Sequence, residues 1–324
     1  MDDGTRVLVT GCAGFLGSHL CEELADCGFA VTGLDDLSTG RMVNLEGVRD
    51  RMTFHRGSVL DADLTGALAG DADVVYHLAA AVGTFTIRDR WLHSLRVNVD
   101  GTRNVAEAAA QAGVPLLFTS SSEVYGSTPG VLAEGAPRRL GSPLRPRWAY
   151  AEAKALDESF IAAAAQELGL KAVIVRLFNV AGPRQRPDFG MVIPRFVRQA
   201  LAGEPLTVFG TGDRTRCFCH VADVVPVLAG LPFNPEAHGR AVNVGGSDTV
   251  SIRQLAARVA ELAGSRSPVR CEPLADVMGG NWDDMLRGVP DTSAARDLAG
   301  FKTSMDLDDI IRSVIVEQRR RGFA

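Results

Sequence analysis

Arg6-Val7-Leu8-Val9-Thr10-Gly11-Cys12-Ala13-Gly14-Phe15-Leu16-Gly17 is the stretch that decides the fold of this chain. Residues 6–10 form a short apolar run of the kind that makes a buried strand, and glycines end it. A helix-like pattern follows from Leu16 to about Cys27. A strand, a glycine turn and a helix in that order bring free backbone N–H groups and the positive end of a helix dipole together. A pyrophosphate binds at such a point. The spacing is G-x-x-G-x-x-G, with Gly11, Gly14 and Gly17 as the fixed positions. Asp35 ends a second apolar run (30–34), about twenty residues on, where a carboxylate receives ribose hydroxyls. The same carboxylate repels a 2′-phosphate, so the expected cofactor is NAD.

Working outward, further apolar runs stand at 52–54, 74–78, 116–118 and 173–175. Helical patterns lie near 94–112, 149–167, 191–202, 251–263 and 306–320. Strands alternating with helices predict an α/β fold: a Rossmann-type doubly wound parallel sheet covered on both faces. After about residue 180 prolines and arginines cluster and the alternation weakens. The expected division is a dinucleotide-binding domain over 1–180 and a smaller C-terminal α/β substrate domain over 181–324. Residues 241–244 read as a strand returning to the main sheet.

Composition narrows the function. The chain has 324 residues, 46% of them apolar and 23% charged, enough for a sizeable core and unlike a disordered chain. The net charge of −5 lacks the basic surplus of a nucleic-acid binder. No apolar run is long enough to span a membrane, and the acidic start Met1-Asp2-Asp3 lacks a signal peptide's positive region. A cytoplasmic protein is expected. Cys12, Cys21, Cys27, Cys217, Cys219 and Cys271 have no metal-site spacing and read as reduced thiols, so no metal is expected.

Only three of the 34 lysines and arginines are lysine, and only three residues are tyrosine. Yet Tyr150 and Lys154 fall four apart on one predicted helix, hence on one face. A phenol is a poor base at neutral pH. A nearby ammonium and an oxidised nicotinamide stabilise the phenolate, which then takes a proton from a sugar hydroxyl.

Taken together, these residues resemble the extended short-chain dehydrogenase/reductases, specifically the NAD-dependent nucleotide-sugar epimerases, dehydratases and decarboxylases. The marks are Thr10 to Gly17, Asp35-Asp36-Leu37-Ser38-Thr39-Gly40, His77-Leu78-Ala79-Ala80, Asn98, Ser120 to Gly126, Tyr150 to Lys154, and Arg176 to Pro183. The resemblance implies that Gly11, Gly14, Phe15, Leu16, Gly17, Asp35, Asp36, Ser38, Thr39, Gly40, Ser58, Val59, Leu78, Ala79, Ala80 and Asn98 bind NAD, with Tyr150 and Lys154. It also implies that Ser121 hydrogen-bonds the C4 oxygen of a UDP-sugar. Asn179, Val208, Phe209, Arg216 and Arg287 are carried over as substrate contacts. A homodimer is implied too, pairing the helices near 94–112 and 149–167.

The two residues after Ser121 discriminate within the family. Dehydratases carry Asp-Glu there; this chain has Ser122-Glu123. A serine hydroxyl is a far weaker acid than a carboxyl, which argues against a 4,6-dehydratase. The Ser-Glu pair looks like the UDP-glucuronate decarboxylases, in which oxidation at C4 makes the C6 carboxylate β to a ketone. Glu123 would position a water or disfavour the sugar carboxylate by charge. The alternative is a UDP-sugar or UDP-hexuronate 4-epimerase; a non-catalytic NAD(H)-binding regulator on the same fold is the reading from another class. Three departures stand out: Ser121 for the decarboxylases' threonine, Ser58 where an aspartate usually meets adenine, and an atypical stretch at 81–96. The last would allow UDP-4-keto-pentose as well as UDP-xylose.

Overall fold

A computed structural model describes residues 4–280, 282–283 and 288–322. Seven strands form one parallel sheet: β1 (Arg6–Thr10), β2 (Ala30–Asp35), β3 (Met52–Arg56), β4 (Val74–His77), β5 (Leu116–Ser121), β6 (Ala172–Phe178) and β7 (Ala241–Gly245). Their spatial order is β7-β6-β5-β4-β1-β2-β3. The order reverses beside β1, and its carboxyl end is therefore the crevice where a doubly wound sheet binds its ligand.

Side-chain alternation explains the two covered faces. Val7 and Val9 join a core layer with Leu20, Leu24, Val224 and Leu228, while Leu8 joins Val105, Ala109, Phe118 and Ile161 on the other side. The first layer is closed by α1 (Phe15–Asp26). The second is closed by α2 (Ala62–Gly70), α4 (Trp91–Ala112) and α5 (Pro146–Leu168), with the short α3 (Thr84–Asp89) between α2 and α4 in the chain. Proline opens α5 and glycines in the left-handed conformation end α4 and α5, at Gly113 and Gly169.

The second unit packs α6 (Val192–Leu201), α8 (Ile252–Ala263) and α9 (Leu307–Arg320) around the parallel pair Leu206–Phe209 and Val269–Glu272. Capping boxes start two of these helices, Ser251 with Gln254 and Asp306 with Asp309. The unit is not a contiguous 181–324 block. The apolar helix α7 (Val221–Gly230) and strand β7 return to the sheet, and Ala295 and Phe301 finish the same core layer. Val224, Val225 and Leu228 pull that segment back by covering the sheet face that α1 leaves open. Among the described residues no helix is long and apolar enough to cross a membrane.

Candidate active site

The glycine loop sits where the order of strands reverses. Gly11 has φ +72°, and a Cβ there would stand 2.8 Å from the Ala79 backbone nitrogen. A Cβ on Gly17 would stand 2.1 Å from the Gly11 carbonyl oxygen. Neither position tolerates a side chain, and Gly14 leaves the start of α1 open. This cradle of bare backbone fits a dinucleotide pyrophosphate.

The residues expected to hold the cofactor between Gly11 and Ala80 line one cavity, Gly40 excepted. Gly40 instead packs on Ala13 and Asp35. Ala81, Val82, Thr86, Arg90, His93, Val97 and Phe189 line the cavity too, and none of these was expected from the sequence to hold the cofactor. Thr86 and Arg90 come from the atypical 81–96 stretch. Phe189 comes from the second unit, and its backbone and Cβ stand against Gly83.

Asp35 has a second task. Its two carboxylate oxygens accept hydrogen bonds from the Ala13 N–H (2.9 Å) and the Leu37 N–H (2.8 Å). It thus fixes the shape of the glycine loop. Burial raises its pKa and the two backbone donors pull it back. Asn98 does not line the cavity. It is fully buried, accepts from the Ala81 N–H (2.9 Å) and donates to the Ala81 carbonyl (3.2 Å), so it acts on the cofactor wall through Ala81.

Beside this cavity stand the residues of the expected chemistry. Tyr150 and Lys154 are buried on α5, and α3 packs against the same helix. Neither residue lines the cofactor cavity itself. Burial and the charge of Asp157 raise the Tyr150 pKa; the side chain of Ser121, as its hydrogen-bond partner, lowers it. Burial lowers the Lys154 pKa against the pull of Asp157 and Glu158. The Lys154 ammonium lies 4.3 Å from the centre of the Phe118 ring. Ser121 ends β5 and caps the next turn, its Oγ accepting from the Glu123 N–H (3.2 Å). The Ser122 hydroxyl is buried and makes no hydrogen bond among the described residues.

Glu123 is locked. Arg147, one turn before Tyr150 on α5, donates to it from Nη1 (2.7 Å) and Nη2 (3.1 Å), and both side chains are buried. The sequence reading passed over Arg147. The signal was there: an arginine on the buried face of an apolar helix demands a counter-charge, and Glu123 is the carboxylate beside it. Arg147 also faces the Trp282 ring at 5.7 Å, and the Trp148 indole donates to Asp283 (2.7 Å), so the second unit rests on the first turn of α5.

The substrate-side residues separate. Val208 is fully buried in the second core, because alternation along Leu206–Phe209 turns it inward; only its backbone is available. A substrate contact at Val208 would therefore run through its backbone. Phe209 points the other way, under the Arg195 guanidinium at 4.1 Å and 6.4 Å from Phe85. Asn179 holds φ +40° and donates to the Cys217 carbonyl (2.9 Å). Arg216 pairs opposite Val250 and donates to the Thr215 carbonyl (2.7 Å). Arg287 lies outside the described residues.

Comparison with known proteins agrees with this geometry. The model of the NAD dependent epimerase/dehydratase family matches residues 7–245. A UDP-N-acetyl-alpha-D-glucosaminuronate decarboxylase of Bacillus cytotoxicus is 34% identical, with 96% of each chain covered. A UDP-glucuronic acid decarboxylase 1 of Xenopus tropicalis is 33% identical over 97% of this chain and 72% of its own. The crystal structure of a UDP-glucuronic acid 4-epimerase from Bacillus cereus, in complex with UDP-glucuronic acid and NAD, superposes with TM-score 0.85. It is 29% identical and covers 98% of this chain and 100% of that one.

Proposed function

The chain belongs to the NAD-dependent epimerase/dehydratase family, with NAD as its cofactor, and on that premise we propose that it decarboxylates UDP-glucuronate. The path runs through a UDP-4-keto-hexuronate to UDP-4-keto-pentose, UDP-xylose or both. The observation that carries this reading is Ser122-Glu123 at the end of β5, with Glu123 clamped by Arg147. An ion-paired carboxylate does not hand a proton to a leaving hydroxyl, and a serine is too weak an acid to do so. Both count against dehydration.

Decarboxylation asks for neither. NAD, when bound, supplies the hydride acceptor and donor at C4. Tyr150, as phenolate, takes the O4 proton, and Lys154 stabilises that phenolate. Ser121 hydrogen-bonds O4. Once C4 is a ketone, the C5–C6 bond breaks, CO₂ leaves, and its electron pair enters an enolate. The Tyr150 hydroxyl and Ser121 hold that enolate oxygen. A proton delivered to C5 completes the 4-keto-pentose. With its charge balanced by Arg147, Glu123 suits orienting a water more than repelling the sugar carboxylate. Arg216, Arg287 and Phe209 are assigned to the nucleotide side, where arginine forks onto phosphate oxygens.

The resemblance to the Bacillus cereus structure supports a second reading, a UDP-hexuronate 4-epimerase, which retains the carboxylate. Proton NMR of the purified protein with UDP-glucuronate and NAD separates the two: pentose signals for the first, galacturonate signals for the second. A homodimer through α4 and α5 completes the reading; Leu156 is 56% exposed on that face. Light scattering tests it, and Leu156→Asp is expected to give a monomer.

A further inference from the structure

Tyr150, Lys154 and Asp157 stand at i, i+4 and i+7 on α5, which puts them in one stripe down one face of the helix. All three are buried, and Asp157 is only 2% exposed. Nothing in the proposed chemistry uses Asp157. A carboxylate is seldom buried so deeply without a task.

Its surroundings suggest one. Thr102, from α4, hydrogen-bonds the Asp157 side chain. Thr102 Oγ1 lies 3.1 Å from His77 Nε2, and His77 Nδ1 lies 2.8 Å from Thr10 Oγ1. Thr10 Oγ1 accepts from the Ala79 N–H (3.3 Å), on the wall of the cofactor cavity. One assignment of protons satisfies every link: Ala79 donates to Thr10, Thr10 to His77, His77 to Thr102 and Thr102 to Asp157. It requires a neutral histidine, and burial with the Lys154 charge lowers the His77 pKa to about 3. The donors all run towards Asp157. Asp157 Oδ2 has no hydrogen-bond partner among the described residues.

We propose that Asp157 is a third member of the Tyr150–Lys154 pair, a positioning residue whose negative charge sets the pH range in which the phenolate and the ammonium coexist. The inference rests on Tyr150 being the base. The sign follows from electrostatics: a buried anion favours the Lys154 ammonium and disfavours the Tyr150 phenolate. The other charged groups nearby are Glu158 on α5, tied to Arg176 and Ser120, and Asp100 and Arg103 of α4, which share a groove with Asp157. None of them takes part in the hydrogen-bonded chain.

The test needs no sugar substrate. The chain has three tyrosines. Tyr76 donates to the Ala229 carbonyl and Tyr125 to Asn243, and burial raises both their pKa values. The NAD-bound protein is titrated with base while tyrosinate absorbance is followed in the near ultraviolet. Tyr150→Phe identifies the Tyr150 step by removing it. In Asp157→Asn that step is expected to move to lower pH by about half a unit or more. Asp157→Glu should keep it near the parent value. Thr102→Val, which removes a donor to the Asp157 anion without touching α5, leaves that charge less neutralised and should move the step to higher pH by a smaller amount, and it carries the test if Asp157→Asn does not fold. A step removed by Tyr150→Phe but unmoved in folded, NAD-binding Asp157→Asn or Thr102→Val overturns the role of Asp157. A titration that Tyr150→Phe leaves unchanged overturns the reading of Tyr150 instead, and this inference with it.

Discussion

The Arg147 guanidinium grips the Glu123 carboxylate at both oxygens, one helical turn before Tyr150. The pair joins the loop after β5 to the helix that carries Tyr150 and Lys154. Its two charges are nearly dry, with side chains 10% and 12% exposed. Glu123→Ala takes away the carboxylate that both Arg147 Nη atoms grip in that environment. The expected cost is about 3–5 kcal/mol, read as a lower urea midpoint, with turnover lost as well. Glu123→Gln keeps the shape and some hydrogen bonding, so it should cost less. A parent-like midpoint for Glu123→Ala would mean the pair does not hold the loop.

Tyr150→Phe removes the proposed base and leaves the cavity intact, since Tyr150 is not among the cavity-lining residues. Turnover should fall by roughly 10²–10⁴-fold while NAD affinity stays within a factor of a few. Steady-state kinetics and a calorimetric NAD titration give the two numbers. Parent-like turnover would place the base elsewhere.

The glycine cradle makes a paired prediction. Gly17→Ala forces a methyl to 2.1 Å from the Gly11 carbonyl, so the loop must open and NAD binding should be lost. Gly66→Ala, inside α2 with nothing within 4 Å of the new Cβ, should leave binding alone. It should stabilise the protein by up to about 1 kcal/mol. Calorimetric NAD titration of both variants separates a steric requirement from a general taste for glycine.

Two buried groups act on stability in opposite directions as pH changes. Burial raises the Asp157 carboxyl to about 7, so its folded pKa lies above the unfolded one. The protonated carboxyl's contribution is full below about pH 4 and is lost as pH rises through 7. His77 is the reverse case: its folded pKa is lowered, so its contribution is full above about pH 6.5 and is lost as pH falls towards 3. Asp157→Asn removes only the first effect. The variant should match the parent near pH 4 and exceed it at pH 8, by an amount on the order of 3 kcal/mol. Urea melts across that range provide the check. A constant difference would mean that Asp157 titrates normally.

Much of the fold was legible because its signals are local. Residues 6–17 carry the strand, the turn and the helix within a single stretch, and periodicity placed α4, α5, α6, α8 and α9 to within a few residues. The return of Val221–Gly230 to the first unit was not legible. An apolar helix does not say which of two cores it covers. The cavity lining was legible where backbone dictates it, at Gly11, Gly17 and Asp35. It read poorly at Thr86, Arg90 and Phe189, which reach the cavity through contacts between distant segments. Asn98 was noticed for the right neighbourhood but bonds Ala81. Val208 was carried over from the family resemblance, and the alternation of its strand turns its side chain inward. Arg147 and Asp157 were missed because, although a charge on the buried face of an apolar helix signals a partner, those partners stand on other elements, Glu123 after β5 and Thr102 on α4.

The central claim is the loss of the sugar's carboxylate, and it is tested most directly with UDP-glucuronate labelled with ¹³C at C6. Purified protein is incubated with this substrate and NAD, and the label is followed by NMR. Decarboxylation predicts that the label leaves as CO₂ and bicarbonate while unlabelled UDP-4-keto-pentose or UDP-xylose accumulates. Label retained in a UDP-hexuronate inverted at C4 would contradict the claim and make the protein a 4-epimerase.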